Sequence, residues 1–561
     1  MLWAWERISM WCDYEEVKKK LYPGVEFAES VKEVLELTSL LGEKTYLIDA
    51  VTGEEFSYEG SNRKVNRVAH ALINMGLKKG GRIGFFMGNS PRCIFTILGI
   101  FKAGMTAVPI NYNFREKEIA HLINTAKVST IVVDPLQGYL DILANVSAEN
   151  DVLRTILIYG PGEVEARPRA RLLRMEDLLN QARDGNPNTR VGGEDPCVIF
   201  FTSGTTGMPK GAPITNKMFL LAAQSALAIP WTDHNTRNYT ALPLFHANAQ
   251  LYSMMAMRCM GASLVLADRF SPKKFFVEIN RYQATYFNSI GGMMQILDAA
   301  FESTPVPEHT AKYVFVGGTP LELWRRFEEK FHVTIFEGYS QSESPVLFLN
   351  AHPDPSKRKA GSFGVPVFPD LGRKTKIVAD EGLDAPEREN VTGELLQIGF
   401  NMKGYWGEEE KTREAFTDGW LHSGDVVRRD EDGFHYFVDR LKFMIRKGGE
   451  NISAFEIEDV INSYPGISES SVVPVPDPLR EEEIKAFILP AEGETIDPAG
   501  IIRHCTAKLA YFKVPRFIEM VDSFPKTATE RIQKMELKER EKKKSDHGWD
   551  RDKEMPDWKQ R

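Results

Sequence analysis

Short apolar runs separated by amphipathic stretches dominate most of the chain. RIGFFMG (82–88), TIVVD (130–134), TILIYG (155–160), CVIFFTS (197–203), SLVLAD (263–268), YVFVGG (313–318) and VTIFEGY (333–339) read as buried strands. Several end in Gly, Asp or Ser, and segments such as SNRKVNRVAHALINMG (61–76) carry helical spacing between them. Strands alternating with helices predict parallel sheets covered on both faces, with ligands at the carboxyl ends of the strands. The most apolar run, CIFTILGIF (93–101), stops at Lys102 and is too short to span a bilayer, so it reads as a buried strand or helix. No transmembrane segment is expected.

The pattern changes near residue 439. DGFHYFVD (432–439) reads as a hairpin edge, and LKFMIRKGGENISAFEIEDVINSY opens a smaller unit. Within that unit EDVINSYPGI reads as a helix and SVVPVPD, EIKAFILP and VPRFIEMV as strands, giving a compact α+β domain. The predicted division is 1–440 and 441–561. The tail KEREKKKSDHGWDRDKEMPDWKQR mixes both charges densely and is expected to be a solvated or frayed extension.

At 561 residues, the chain is too long for one core. A net charge of −8 argues against a nucleic-acid surface. Cys12, Cys93, Cys197, Cys259 and Cys505 are scattered, without C-x-x-C spacing. Reduced thiols of a cytoplasmic protein fit that pattern better than disulfides or a zinc site. MLWAWERISMWC at the start lacks the apolar core of a signal peptide.

Candidate chemistry begins at TSGTTGMPKG (202–211), where three glycines, four hydroxyls and one lysine share ten residues. Glycines let backbone N–H groups crowd a ligand, hydroxyls add rotatable donors and lysine adds a compact charge. Phosphate fits, yet the spacing is not G-x-x-x-x-G-K-[ST].

This loop resembles the phosphate loop of the AMP-forming acyl-CoA ligases, in the adenylate-forming superfamily. PLFHANAQ (243–250), VGGTP (316–320), EGYSQSE (337–343), WLHSGD (420–425), DRLKFMIRKGGENISAFEIE (439–458) and PKTATERIQK (525–534) follow in the family's order. The resemblance covers nearly the whole chain. It implies an adenylate-forming enzyme fold: a large α/β N-terminal domain of parallel sheets flanked by helices plus a small β-barrel-like part, and a mobile α+β C-terminal domain. It also implies ATP, Mg2+ and coenzyme A as partners of a small-molecule carboxylic acid. The acid becomes acyl-AMP with release of pyrophosphate, and the acyl group then passes to the thiol of coenzyme A. A homodimer is compatible with the family.

Residue by residue, the resemblance implies that Thr202, Ser203, Gly204, Thr205, Thr206, Gly207 and Lys210 neutralise the departing phosphates. Gly317, Gly318 and Thr319 become adenine-pocket backbone, and Glu337, Gly338, Tyr339, Ser340, Gln341 and Ser342 part of the nucleotide site, with Tyr339 stacking on adenine. Glu343, with Thr202, becomes the magnesium site, since magnesium on a triphosphate needs few protein oxygens. Asp425 and Arg440 match the pair that clasps the ribose diol. His246 borders the acyl channel, with GGMMQIL (291–297) and YSMMAMRCM (252–260) lining the acid pocket. Lys442 falls at the hinge on which the small domain turns between half-reactions, and Lys447, Gly448 and Gly449 belong to the loop that serves coenzyme A.

Two positions depart from the family's motifs. Ser340 stands where glycine is usual. In PKTATERIQK, Glu530 and Arg531 replace the usual Gly-Lys, so the catalytic charge falls to Arg531, Lys526 or Lys534, or adenylation is slow or lost. GFHYFVDR, RKGGENIS and FKVPRFIE most resemble the crotonobetaine/carnitine–CoA ligase branch. Asn248 and Gln250 either contact a polar acid or satisfy a helix end, and a fatty acid stays open as substrate. So do two other functions: loading a carrier-protein phosphopantetheine, or nucleotide binding by a pseudoenzyme.

Overall fold

The computed structural model describes residues 12–558 except 163–164, 166–167, 203–207, 380–389, 448–449, 478–480, 527–531, 543 and 545–546. Each of the seven apolar runs forms a strand, from Arg82–Phe86 to Thr334–Gln341, and the amphipathic segment after Ser57 forms the helix Tyr58–Asn74. The run CIFTILGIF lies in the helix Pro91–Lys102. Ser90 caps that helix by accepting the Cys93 N–H, and proline occupies its first turn, where no donor is needed.

Two sheets build the large domain among the described residues. One has nine strands, with Thr334–Gln341, Tyr313–Gly317, Tyr286–Ile290, Arg237–Thr240, Ser263–Leu266 and Thr45–Asp49 parallel and adjacent in that order. The other has seven, parallel except where Pro196–Thr202 turns back into Lys210–Thr215. Sheet and helix faces meet in several apolar clusters, the largest of which includes Tyr252, Met254, Met255, Met257, Cys259 and Met260, so the Met-rich run is buried. Beside these sheets stands a small antiparallel one, in which Trp420–Arg429 pairs with Val391–Ile398 and His435–Arg440.

Two of the sheet's carboxyl-end turns touch. Gly318 has φ of +81°, a conformation that suits glycine. A Cβ on Gly291, at the start of the helix Gly291–Ala300, would lie 2.1 Å from the Gly318 carbonyl oxygen. Both positions therefore require glycine, and the turn after Tyr313–Gly317 is fixed by its neighbour.

The C-terminal domain is a sheet with the helices Ala454–Asn462 and Pro498–Lys508 against it. Its start is anchored on the large domain: Asp439 accepts from the Phe455 N–H at 3.1 Å, and Ser453 Oγ donates to the Val438 carbonyl at 2.7 Å. Lys508 pairs with Glu322 across the two domains at 3.6 Å.

The charged tail departs from its expected exposure. Lys534–Glu541 is a helix, and Trp549–Asp550 adds a strand to Phe517–Met520. Lys485 and Glu541, both fully buried, pair at 2.7 Å. Arg516 grips Asp550 through two N–H groups at 3.1 Å each. Arg551, 1% exposed, donates to the Val514 and Pro515 carbonyls and stacks 3.8 Å over Trp558. Glu541, Asp550 and Arg551 are thus buried against the sheet, while Glu539, Lys542, Lys544 and Lys553 of the same tail stay exposed. Arg551→Ala is predicted to destabilise the C-terminal domain by about 2–4 kcal/mol, since two buried carbonyls and an indole lose their partner. Denaturant unfolding followed by tryptophan fluorescence tests this; an unchanged midpoint would return the tail to solvent.

Candidate functional site

The Asp425–Arg440 pair organises the nucleotide side of the site. Strand pairing places these residues opposite each other, and Arg440 Nε lies 2.7 Å from Asp425 Oδ1. Asp425 is fully buried, and its Oδ2 accepts from the Tyr339 hydroxyl at 2.5 Å and Gln341 Nε2 at 2.7 Å. Burial raises its pKa, against the opposing pull of Arg440 and these hydrogen bonds. One ring face of Tyr339 is stacked on Phe363, with centroids 4.6 Å apart.

Glu343 sits on a two-residue turn. Thr334–Gln341 reverses through Ser342 and Glu343 into the antiparallel strand Ser344–Asn350, with Gln341 opposite Ser344. The turn projects from the carboxyl end of the large sheet, where a parallel α/β fold receives ligands. Glu343 Oε1 accepts from the Tyr405 hydroxyl at 2.9 Å. Lys210 begins the strand after the phosphate loop, and its ammonium lies 4.9 Å over the Tyr405 ring. Thr202 is opposite Lys210, its hydroxyl donating to the Lys210 carbonyl at 3.4 Å. Ser203, Gly204, Thr205, Thr206 and Gly207 lie outside the described residues, as do Gly448, Gly449 and Arg531.

A third group forms beneath the Gly317–Gly318 turn. The Glu337 carboxylate accepts from the Gly318 N–H at 2.6 Å, the Thr319 N–H at 3.2 Å and the Thr319 hydroxyl. Gly338 is packed so that a Cβ would lie 2.5 Å from the Phe315 ring. Ser340, in the glycine's place, has Oγ 2.8 Å from the Tyr252 hydroxyl, which ties it to the core.

Lys442 follows Arg440 in the turn Leu441–Phe443. Burial pushes its ammonium down to about 8, and the charges of Arg440 and Lys210 add to that. The structure sets Lys447 in the C-terminal sheet, buried against Glu483. Lys526 pairs with Glu469 at 2.9 Å, and Lys534 with the largely buried Glu458 at 2.6 Å. His246 is exposed, its ring 4.3 Å from that of Phe245. Gln250 donates to the Leu244 carbonyl at 2.7 Å, and Asn248 accepts from Asn288 at 3.1 Å.

The arrangement sets carboxylates, a guanidinium and an ammonium side by side, donors and acceptors of the kind that polar, charged ligands need. The model of the AMP-binding enzyme matches residues 39–406, and that of the AMP-binding enzyme C-terminal domain matches 456–531. The chain belongs to this family, among the AMP-forming acyl-CoA ligases. The crotonobetaine/carnitine–CoA ligase of Salmonella paratyphi C is 31% identical over 90% of this chain and 97% of its own. That of Salmonella typhi is 30% identical with the same coverage. Among solved structures, the anthranilate CoA ligase AuaEII in complex with anthranoyl-AMP superposes with a TM-score of 0.81 at 26% identity, over 91% of this chain and 96% of that one. ATP-bound MatB from Rhodopseudomonas palustris gives 0.79 at 25%, over 91% and 99%.

Sequence reasoning about this ligase missed Tyr405. It lies in GYWGEEE, where no spacing ties the tyrosine to Glu343 or Lys210. Only the folded chain brings it to Glu343 and Lys210.

Glu337 generates a pH prediction. Burial raises its carboxyl from 4.5 to about 7. Between those values the folded chain keeps a proton that the unfolded chain releases, so stability falls as pH rises through this window. The melting temperature of the wild type, relative to Glu337→Gln, is expected to drop from pH 5 to pH 7.5. Parallel curves for the two proteins would contradict it.

Proposed function

We propose that the protein activates a carboxylic acid with MgATP to acyl-AMP and passes the acyl group to coenzyme A, with a carnitine-like acid as substrate. The observation that carries this reading is the meeting of Lys210, Glu343 and the Asp425–Arg440 pair at the carboxyl ends of the strands. The substrate assignment is supported by the crotonobetaine/carnitine–CoA ligases, which align over nearly their whole length.

The donor set suits a magnesium ion that arrives on ATP. No cluster of three or more His, Cys, Asp or Glu side chains occurs among the described residues, whereas Glu343 offers a single carboxylate. One hard oxygen is enough for an ion that keeps its waters and the phosphate oxygens. A magnesium ion held at Glu343 would supply charge neutralisation there, and in this reading Lys210 draws charge off the leaving pyrophosphate. Asp425 and Arg440 grip the ribose diol, an acceptor-only carboxylate beside a rigid donor fork. Lys442 then turns the C-terminal domain so that its Lys447 loop serves the second half-reaction.

Arg531 supplies the positive charge at the α-phosphate in this reading. Supporting it, Lys526 and Lys534 already have carboxylate partners, and freeing Lys534 would strand Glu458 largely buried and unpaired. Arg531→Ala is predicted to slow acyl-AMP formation by roughly two orders of magnitude while sparing thioester formation from preformed acyl-AMP. Lys534→Ala should chiefly lower the melting temperature. Assays of each half-reaction decide, and a fully active Arg531→Ala would remove that residue from the chemistry.

The function itself is tested by pyrophosphate release over a panel of acids: crotonobetaine, carnitine, and medium- and long-chain fatty acids. Each is run with free coenzyme A and with a phosphopantetheinylated carrier protein. The expected result is magnesium-dependent turnover of the betaine acids with free coenzyme A, abolished in Glu343→Gln without loss of fold. Turnover confined to fatty acids, or to the carrier protein, would overturn the assignment.

A further inference from the structure

Lys210 and Glu343 carry opposite charges and both touch Tyr405, yet among the described residues they form no ion pair with each other. Tyr405 separates them. Its ring face carries the ammonium at 4.9 Å, and its hydroxyl donates to the carboxylate at 2.9 Å.

The segment bearing Tyr405 is fixed from both of these directions. On one side the Met402 N–H donates to the backbone carbonyl of Glu343 at 2.8 Å. On the other, the Trp406 N–H donates to the carbonyl of Gly211, the neighbour of Lys210, at 2.8 Å. Tyr405's own N–H goes to Thr412 Oγ1 at 2.9 Å, and its ring packs on Ala212, Met402 and Leu421. The ring therefore cannot drift relative to either partner. Burial first, and then the adjacent Glu343 charge, push the phenol pKa far above its ordinary value, so the hydroxyl remains a donor.

We infer that Tyr405 is a positioning residue that keeps the Lys210 ammonium and the Glu343 carboxylate apart, so that both are free to receive a metal-bound polyphosphate. A direct Lys210–Glu343 bridge would neutralise each group and would have to break before nucleotide could bind. A cation–π contact is weaker than a bridge of that kind in a half-buried site, and lysine's flexible stem lets the ammonium leave the ring for phosphate. The hydroxyl occupies one carboxylate oxygen and leaves lone pairs for the metal. This inference rests on the reading of Glu343 as the magnesium carboxylate, so its test includes that residue.

The probe is α,β-methylene-ATP, whose α–β bridge cannot be cleaved and which therefore cannot transfer AMP, titrated with Mn2+ and followed by calorimetry and manganese spectroscopy alongside thermal melting. Tyr405→Phe keeps the ring and deletes the bond to Glu343; it is expected to raise the metal concentration for half-maximal nucleotide binding roughly tenfold, the scale of losing a hydrogen bond to a charged group. Metal-free nucleotide binding by this variant should change less than twofold. Tyr405→Leu removes the spacer as well, and metal-free binding should then fall too, as Lys210 becomes free to pair with Glu343. If Tyr405→Phe only lowers the melting temperature and leaves the metal midpoint in place while Glu343→Gln shifts it, Tyr405 is structural and the inference fails alone. If Glu343→Gln leaves the midpoint in place, the metal reading fails and takes this inference with it.

Discussion

Two sheets meet at the Asp425 carboxylate. Its strand belongs to the small antiparallel sheet, Tyr339 and Gln341 reach it from the nine-stranded sheet, and Arg440 faces it just before the chain enters the C-terminal domain. A buried carboxylate is costly unless it is paired and hydrogen-bonded, so these donors are obligatory. Satisfying them fixes where the Tyr339 ring stands and where the turn Leu441–Phe443 begins. Loss of Arg440 or Tyr339 would disturb the seam between sheets.

The charges around that seam are not self-neutralising. Lys210, Arg440 and Lys442 approach closely enough that the last is pushed down to about 8 by burial and by the other two. Asp425 offsets Arg440, and Glu343 is held by a phenol instead of a lysine. A cluster of cations assembled at some cost is complementary to an anion that arrives with its own metal. The same electrostatics explain why Lys534 and Lys526 stand elsewhere: each answers a carboxylate within the C-terminal domain.

That domain shows how poorly charge density reports exposure. Glu541 and Arg551 come from a tail that looks solvated, and both are buried, Glu541 against the equally buried Lys485. Glu541 is held down to about 2: its hydrogen bonds to His547 and Lys485 and the Lys485 charge outweigh the opposing effect of burial. What decides is the partner across the sheet, and the partner lies dozens of residues away in the chain.

The sequence by itself determined the elements and the family. Short apolar runs, several ended by glycine, aspartate or serine, read as buried strands, and all seven formed them. The ordered motifs pointed to candidate nucleotide residues because backbone-rich loops need glycine, and glycine is visible in a sequence. For CIFTILGIF, periodicity left strand and helix open, and the chain forms the twelve-residue helix Pro91–Lys102, capped by Ser90 and followed by Ala103 and the left-handed Gly104. Tertiary structure alone decided what each polar group does. Gln250 and Asn248 received intramolecular partners, Ser340 a bond to Tyr252, and Arg551 a buried place under Trp558. Tyr405 became the contact between Lys210 and Glu343 by the same route. Hydrophobic pattern is local and periodic, so it can be read along the chain. Hydrogen-bond and charge partners are set by which strands the fold places side by side, and no spacing in the sequence encodes that.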